Sequence, residues 1–353
     1  MKRDKNVDFL KGYACLLVIF GHVILGIETS GIAVPAAIPV TEKFLWSFHI
    51  DLFMFLSGFV YSLTGGWISK KTRFSFIKNK FFSLAVPYFV FAALYIIVNS
   101  LTPGVNNQNS LKDILTLWYK PIAQYWFIFA LFWLFVIYTV FSKIIPNNIV
   151  LTAVLYAVFL VCKFFKINMF FLDSSFNCVL AFGIGASLKN LKTENLKTEN
   201  LNIIKKIPAS VRVLAVVIHL AVTVLFIKIN IYNKFLVDDF LTVLGIFSSV
   251  CFISVISFAS PVSFFLNVIR KYSFPLYLLH TFFTAATRIL LLKIGVQNYI
   301  LHIVAGIAAG IVFPVIIAKA AEFSPYLNFF FYPVNSVKKI KSRKKESGEV
   351  LNK

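Results

Sequence analysis

The chain reads as long apolar runs cut by short polar stretches, and each run has the length, about 20 residues, of a helix that crosses a bilayer. Ten such runs stand near residues 8–27, 44–63, 81–99, 121–141, 149–165, 173–188, 211–227, 239–257, 273–292 and 298–320. The fifth and sixth are separated by a short, partly polar break from Lys163 to Asp173, which also fits a re-entrant segment. The pattern predicts an all-α fold: a polytopic integral membrane bundle of about ten transmembrane helices over 1–337, followed by a basic tail over 338–353. The first run imitates a secretion signal, but Asp8, Lys11 and His22 interrupt it. Polar groups at membrane depth are costly, so the run is expected to be a retained span with a function.

Composition removes the main alternative. Of 353 residues, 59% are hydrophobic and 14% charged, far from the balance of a water-soluble domain. A net charge of +21 invites a nucleic-acid partner, yet the 35 Lys and Arg, Lys11 and Lys319 within runs apart, fall in the segments between runs or near run ends and form no continuous basic face. About two thirds of them lie on the side of the N-terminus once the spans alternate. The positive-inside rule then puts both termini in the cytoplasm of a multi-pass cell-membrane protein. The four cysteines sit in or beside apolar stretches without paired spacing and read as packing residues, with no metal site expected. The polar repeat KNLKTENLKTENL at 189–201 reads as a linker.

Candidate chemistry lies in the polar residues within the runs. Lys11 and His22 are eleven residues apart, which returns a helix to within about 20° of the same face and separates them by about 16 Å along its axis. Asp8 lies on the adjoining face, within reach of Lys11. The second run, FHIDLFMFLSGF, brings His49 and Asp51 to about the depth of His22, so that two imidazoles can share a pocket; the alternative is that His49 and Asp51 hydrogen-bond neighbouring helices. Asp51, Phe55, Gly58 and Ser62 recur at helical spacing as a stripe that allows close helix approach. His280 falls at mid-membrane, one turn after Tyr277, with a structural and a functional reading equally open; His219 and His302 read as packing or interfacial residues. The segment after the second run carries Lys70, Lys71, Arg73, Lys78 and Lys80 among aromatic residues. It reads as a topology signal, as an anionic-lipid contact, or as a phosphate clamp for a cytoplasmic cosubstrate. The tail from Lys338 reads as a membrane-lipid contact.

A neutral imidazole is the side chain suited to taking a proton from an alcohol that attacks a carbonyl. Acyl transfer needs such a base and an activated donor. An acyl thioester of coenzyme A fits, its phosphates near Lys11 and the 70–80 segment and its pantetheine arm reaching His22. Motifs of hydrolases, ATPases, metalloproteases and dehydrogenases are missing from the sequence. The rival from another class is a transporter or flippase for glycan intermediates, which also needs deep polar residues; against it stand the absence of repeats and of matching interrupted helices.

At these residues the chain resembles the membrane acyltransferase type 3 family, most nearly its fucose 4-O-acetylase-like branch. The likeness is carried by VDFLKGYACLLVIFGH ending at His22, FHIDLFMFLSGF from Phe48 to Phe59, FIKNKFFSLAVPYF ending at Phe89, SFPLYLLH ending at His280 and YWFIFALFW around Trp126. It extends from about Val7 to Pro314. The resemblance implies an O-acyltransferase, usually O-acetyl, that takes acetyl-CoA from the cytoplasm and modifies a polysaccharide or lipid-linked sugar. It places the essential histidine on His22, as general base or acyl carrier, with His49 as a second catalytic candidate. Lys11, Lys71, Arg73, Lys78 and Lys80 become donor-binding candidates, and Asp51, Tyr277 and His280 acceptor-binding ones. Lys11 stands where the family usually has arginine, and Ser83 where an arginine is common.

Overall fold

The computed structural model describes residues 5–64, 70–188, 207–232, 234–255 and 261–351. The repeat at 189–201 lies outside the described residues. Among them every regular element is helical, as expected of a chain whose backbone groups find no water in hydrocarbon and so must bond within each segment. The protein is a polytopic membrane bundle.

Among the described residues, eight segments are long and apolar enough to cross a bilayer. They are Val7–Glu28, Ala37–Leu63, Thr72–Leu101, Ala123–Phe141, Ala209–Lys228, Leu236–Val255, Ser273–Lys293 and Tyr299–Glu322. The fifth and sixth predicted runs differ from the rest. The fifth is the shorter apolar helix α7 (Asn148–Phe164). The sixth is two short helices, α8 (Asp173–Asn177) and α9 (Val179–Ser187), bent by 52°. Among the described residues eight helices, or nine if the bent pair counts as one, are thus long and apolar enough to span, with α7 as a further shorter apolar helix, in keeping with the expected polytopic bundle.

The first span is α1 (Lys5–Glu28). The second is longer than the sequence predicts, because α2 (Ala37–Trp46) leads directly into α3 (His49–Thr64). The third also starts early. The basic segment is a helix, α4 (Lys70–Lys80), and continues through a π-helical stretch, Phe81–Ala85, into α5 (Val86–Leu101). Pro87 lacks an N–H and would ordinarily interrupt a helix; the wider π turn before it accommodates that loss, so the helix runs on. The other long helices are α6 (Trp126–Phe141), α10 (Ala209–Lys228), α11 (Phe235–Val255), α13 (Ser273–Lys293) and α14 (Tyr299–Glu322). The amphipathic α12 (Pro261–Lys271) precedes α13, and the short α15 (Pro325–Phe329) follows α14. The last helix, α16 (Pro333–Leu351), crosses the expected 337/338 boundary without a break; its buried Ser336 accepts from Asn328 at 3.3 Å.

Close approach is set by glycine. A Cβ on Gly58 of α3 would lie 1.9 Å from the Phe182 carbonyl oxygen of α9, and one on Gly185 would lie 2.0 Å from the Phe55 carbonyl oxygen. The two helices thus touch backbone to backbone, along the stripe read from Asp51 to Ser62. Gly12 of α1 meets Leu266 of α12 in the same way, at 2.6 Å. At that end of the molecule Asp8 pairs with Arg270 at 3.6 Å, a partner from α12 that the sequence reading did not foresee. Lys271 pairs with Glu322 at 3.2 Å.

Candidate active site

His22 lies in the second half of α1, where the surrounding helices leave room. Its Nδ1 donates to the Val18 carbonyl, one turn earlier, at 2.9 Å. A neutral imidazole so held carries its proton on Nδ1 and presents a lone pair at Nε2. The same device recurs twice. His49 Nδ1 reaches the Leu45 carbonyl at 2.6 Å, and His280 Nδ1 reaches the carbonyls of Leu276 and Tyr277 at 2.9 and 3.0 Å. In these two the Nε2 atoms are buried without a hydrogen-bond partner.

Two of the three imidazoles, His22 and His49, stand against Trp46, and the third, His280, stands against His22. His280 meets His22 edge to face at 5.0 Å between ring centroids. Trp46 stands 5.5 Å from His22 and 4.9 Å from His49. Of the expected pair, His49 lies within electrostatic range of His22 and shares Trp46 as a ring neighbour, while His280 is in direct ring contact with His22. His49 Nε2 faces the backbone of Gly21, where a Cβ would lie 3.7 Å away.

Three hollows meet at His22. The largest, about 640 Å³, extends away from the Lys11 end between α1, α5, α13 and α14. Its polar lining includes Thr29, Asn99, Asn106, Thr281 and Arg288. Below the ring, toward the Lys11 end, is a void of about 20 Å³ bounded by Val18, Phe53, Gln124, Phe127 and Tyr277. That is room for about one water molecule. A third, of about 10 Å³, touches Arg288 and His302.

The floor of the site is fixed by bonds between α13 and the start of α6. Tyr277 donates its hydroxyl to the Gln124 carbonyl, Tyr125 donates to the Leu278 carbonyl at 2.8 Å, and the Gln124 amide donates to Thr281 Oγ1 at 2.6 Å. Ala123 adopts φ 42° to deliver this joint, a left-handed conformation that a residue with a Cβ enters at a cost. The Tyr277 hydroxyl proton is therefore spent on the backbone, which makes Tyr277 a positioning residue.

The remaining expected residues divide. Asp51 points to the other side of α3, where Thr242 of α11 donates to its Oδ2 at 3.1 Å; it is absent from the lining of all three hollows. Lys80 folds inward over the Phe135 ring at 3.9 Å and lies within electrostatic range of Lys11. Lys78, two residues earlier on a continuous helix, is exposed on a different face, while Arg73 is half-buried near Tyr61. The side chain of Lys71 falls outside the described residues. His219 bonds Ser248 at 2.9 Å and packs against Phe44 and Phe48, and His302 Nε2 meets the Val296 carbonyl at 3.0 Å, so both hold structure as expected.

Sequence reasoning missed Arg288 and Gln124. Arg288 lies near the far end of the run 273–292, where a cation reads as a span-end charge, although an arginine inside such a run is itself a signal of function at membrane depth. Gln124 carried no signal, because only tertiary structure brings the start of α6 beneath α13.

A multi-pass bundle that holds a free imidazole nitrogen at the floor of a large cavity has the parts of a membrane-embedded transferase. A family model described as an acyltransferase domain matches residues 4–319, and the chain belongs to that family. Over 142 residues it is 30% identical to "Nodulation protein NolL" of Mesorhizobium japonicum, a stretch that makes up 40% of this chain and 36% of that protein. The chain thus spans about a third of the length of the curated relative it matches. No solved structure matches the chain.

Proposed function

We propose that this membrane acyltransferase is an O-acetyltransferase that moves an acetyl group from cytoplasmic acetyl-CoA to a hydroxyl of a surface or lipid-linked carbohydrate, with His22 as the general base. The observation that carries the reading is the His22 ring, tethered through Nδ1 to Val18 with its cavity side open. The acceptor hydroxyl gives its proton to Nε2 as its oxygen attacks the thioester carbonyl. The C–O bond forms, the C–S bond breaks, and the departing thiolate takes the proton back from the imidazolium. His280, edge-on to His22, orients that ring. Lys11 and Lys80 form a two-cation entrance for the donor phosphates, and both termini lie on that cytoplasmic side. Donor entry requires Phe53, Phe127 and Tyr277 to part around the small void below the ring.

The test compares detergent-purified wild type with His22→Ala, supplied with acetyl-CoA and candidate sugars, and reads thiol release together with glycan acetylation by mass spectrometry. Wild type releases thiol only when acceptor is present, and His22→Ala is lower by a factor on the order of 10²–10⁴ at unchanged yield. An active His22→Ala overturns the role of the imidazole. Acetyl label retained on protein without acceptor replaces direct transfer by an acyl-histidine route.

A further inference from the structure

The large cavity holds one feature that proton abstraction does not use. Arg288 lines it, two turns beyond His280 on α13. One Nη1 hydrogen bond goes to the Gly26 carbonyl at 3.1 Å, and the Nε is buried without a hydrogen-bond partner. Among the described residues no carboxylate pairs with it, and none lines the cavity. A Cβ on Gly26 would lie 2.5 Å from Nη1, so the absence of a side chain there is what lets the guanidinium reach this position. Asn106 reinforces the same corner, donating to Thr29 Oγ1 and to the Gly26 carbonyl.

The rest of the cavity is mainly apolar and open at the side. Leu94 and Val98 of α5 line one edge at 42% and 41% exposure, and Ile317 of α14 lines another at 38%. Within segments that cross the bilayer, such exposed apolar residues face hydrocarbon, so the cavity opens laterally into the membrane. Phe282, Phe283 and Ile289 of α13 add to its apolar lining.

A guanidinium without a carboxylate partner among the described residues, in a cavity whose lining is mainly apolar and open to hydrocarbon, complements an anion joined to an apolar chain. We infer that the acceptor is an amphiphilic phosphate ester, a sugar carried on a lipid phosphate, whose anionic group is held by Arg288 while its chain leaves through the side opening. This rests on the acyltransferase reading of the cavity and names its acceptor class. The distance from Arg288 to His22 is then the span between the phosphate and the hydroxyl that reacts.

Binding tests this without any catalytic step. The full chain in phosphatidylcholine nanodiscs is titrated with farnesyl diphosphate, farnesol and inorganic pyrophosphate, with empty nanodiscs as the blank. Wild type binds farnesyl diphosphate about tenfold or more tightly than farnesol, the scale of one charge-assisted contact, and also about tenfold or more tightly than pyrophosphate. Arg288→Gln erases the preference over farnesol and leaves farnesol affinity unchanged. Gly26→Ala keeps the charge, displaces the guanidinium and weakens farnesyl diphosphate about threefold or more, which covers the case in which Arg288→Gln does not fold. Equal wild-type affinity for farnesyl diphosphate and farnesol overturns the proposal, as does a preference that survives Arg288→Gln. Pyrophosphate as tight as farnesyl diphosphate overturns the lipid-borne part. Loss of transfer in His22→Ala with the anion preference intact separates this inference from the one about His22.

Discussion

Two helix contacts in this bundle are opposites. Between α3 and α9, Gly58 and Gly185 let the backbones touch, and the polar atoms nearby are satisfied locally, as where Ser62 donates to the Phe59 carbonyl at 2.7 Å. Between α5 and α13 the helices stand apart, and the gap is the cavity that reaches His22. Both contacts join apolar helices in the same membrane, so hydrophobicity does not distinguish them. The difference lies in side-chain size at the contact and in the joint at Gln124, which ties α13 to the start of α6 rather than to α5. Tight contacts make the scaffold, and the tied-back helix makes the site.

Filling the tight contact is expected to have the largest effect on stability. Gly58→Val places branched carbons where a single Cβ already lies 1.9 Å from the Phe182 carbonyl oxygen, a backbone atom that cannot swing aside. The cost is about 3 kcal/mol or more, read as loss of monodisperse protein in size-exclusion chromatography and a lower Tm. A Gly58→Val protein of wild-type stability would mean that α3 and α9 are not packed as described.

A smaller effect is expected where α13 is tied back. Tyr277→Phe removes the hydroxyl that Gln124 accepts and leaves the ring in place. One hydrogen bond of about 1 kcal/mol is lost, so the Tm falls by a few degrees. Transfer activity falls about tenfold through kcat, because the floor under His22 shifts while the donor site is untouched. A change confined to the donor KM would instead put Tyr277 in contact with the donor. At the other end, Lys11→Gln raises KM for acetyl-CoA by about tenfold and leaves kcat within a factor of about two, as expected for removal of one phosphate contact in a partly exposed site.

The contrast also explains how much could be read in advance. The spans, the glycine stripe on α3 and the placement of His22 on a deep helical face depend on periodicity and local chemistry, and the sequence carries those directly. The helical basic segment was hidden because Pro87 reads as a break, and only the π turn before it shows otherwise. The broken α8 and α9 were flagged by the polar stretch from Lys163 to Asp173, but the 52° bend depends on packing. In the site, what local pattern leaves open is the choice of neighbours. Depth along a helix places His49 level with His22, but Trp46 of α2 packs against both rings, and the azimuth of α3 turns Asp51 toward Thr242. Azimuth is a tertiary property. For the same reason His280, on a helix far along the chain, became the neighbour that no local pattern could name.

The smallest expected effect tests whether the strained joint at Ala123 serves the site or merely accompanies it. A positive φ of 42° disfavours any residue with a Cβ, and Ala123→Gly relieves that strain while loosening the unfolded chain. The two terms oppose each other at about 1 kcal/mol each, so the Tm should stay within a few degrees of wild type. Activity should also hold within a factor of about two, because the geometry of Gln124 is fixed by bonds on both sides: Tyr277 on its carbonyl and Thr281 at its amide. If activity instead falls tenfold at constant Tm, the alanine methyl is itself needed to hold the backbone turn, and the tie between α6 and α13 depends on local stiffness as well as on hydrogen bonds. The double variant with Tyr277→Phe decides between them: additive losses mean that Ala123 and the hydroxyl act separately, and a loss greater than their sum means that each compensates for the other.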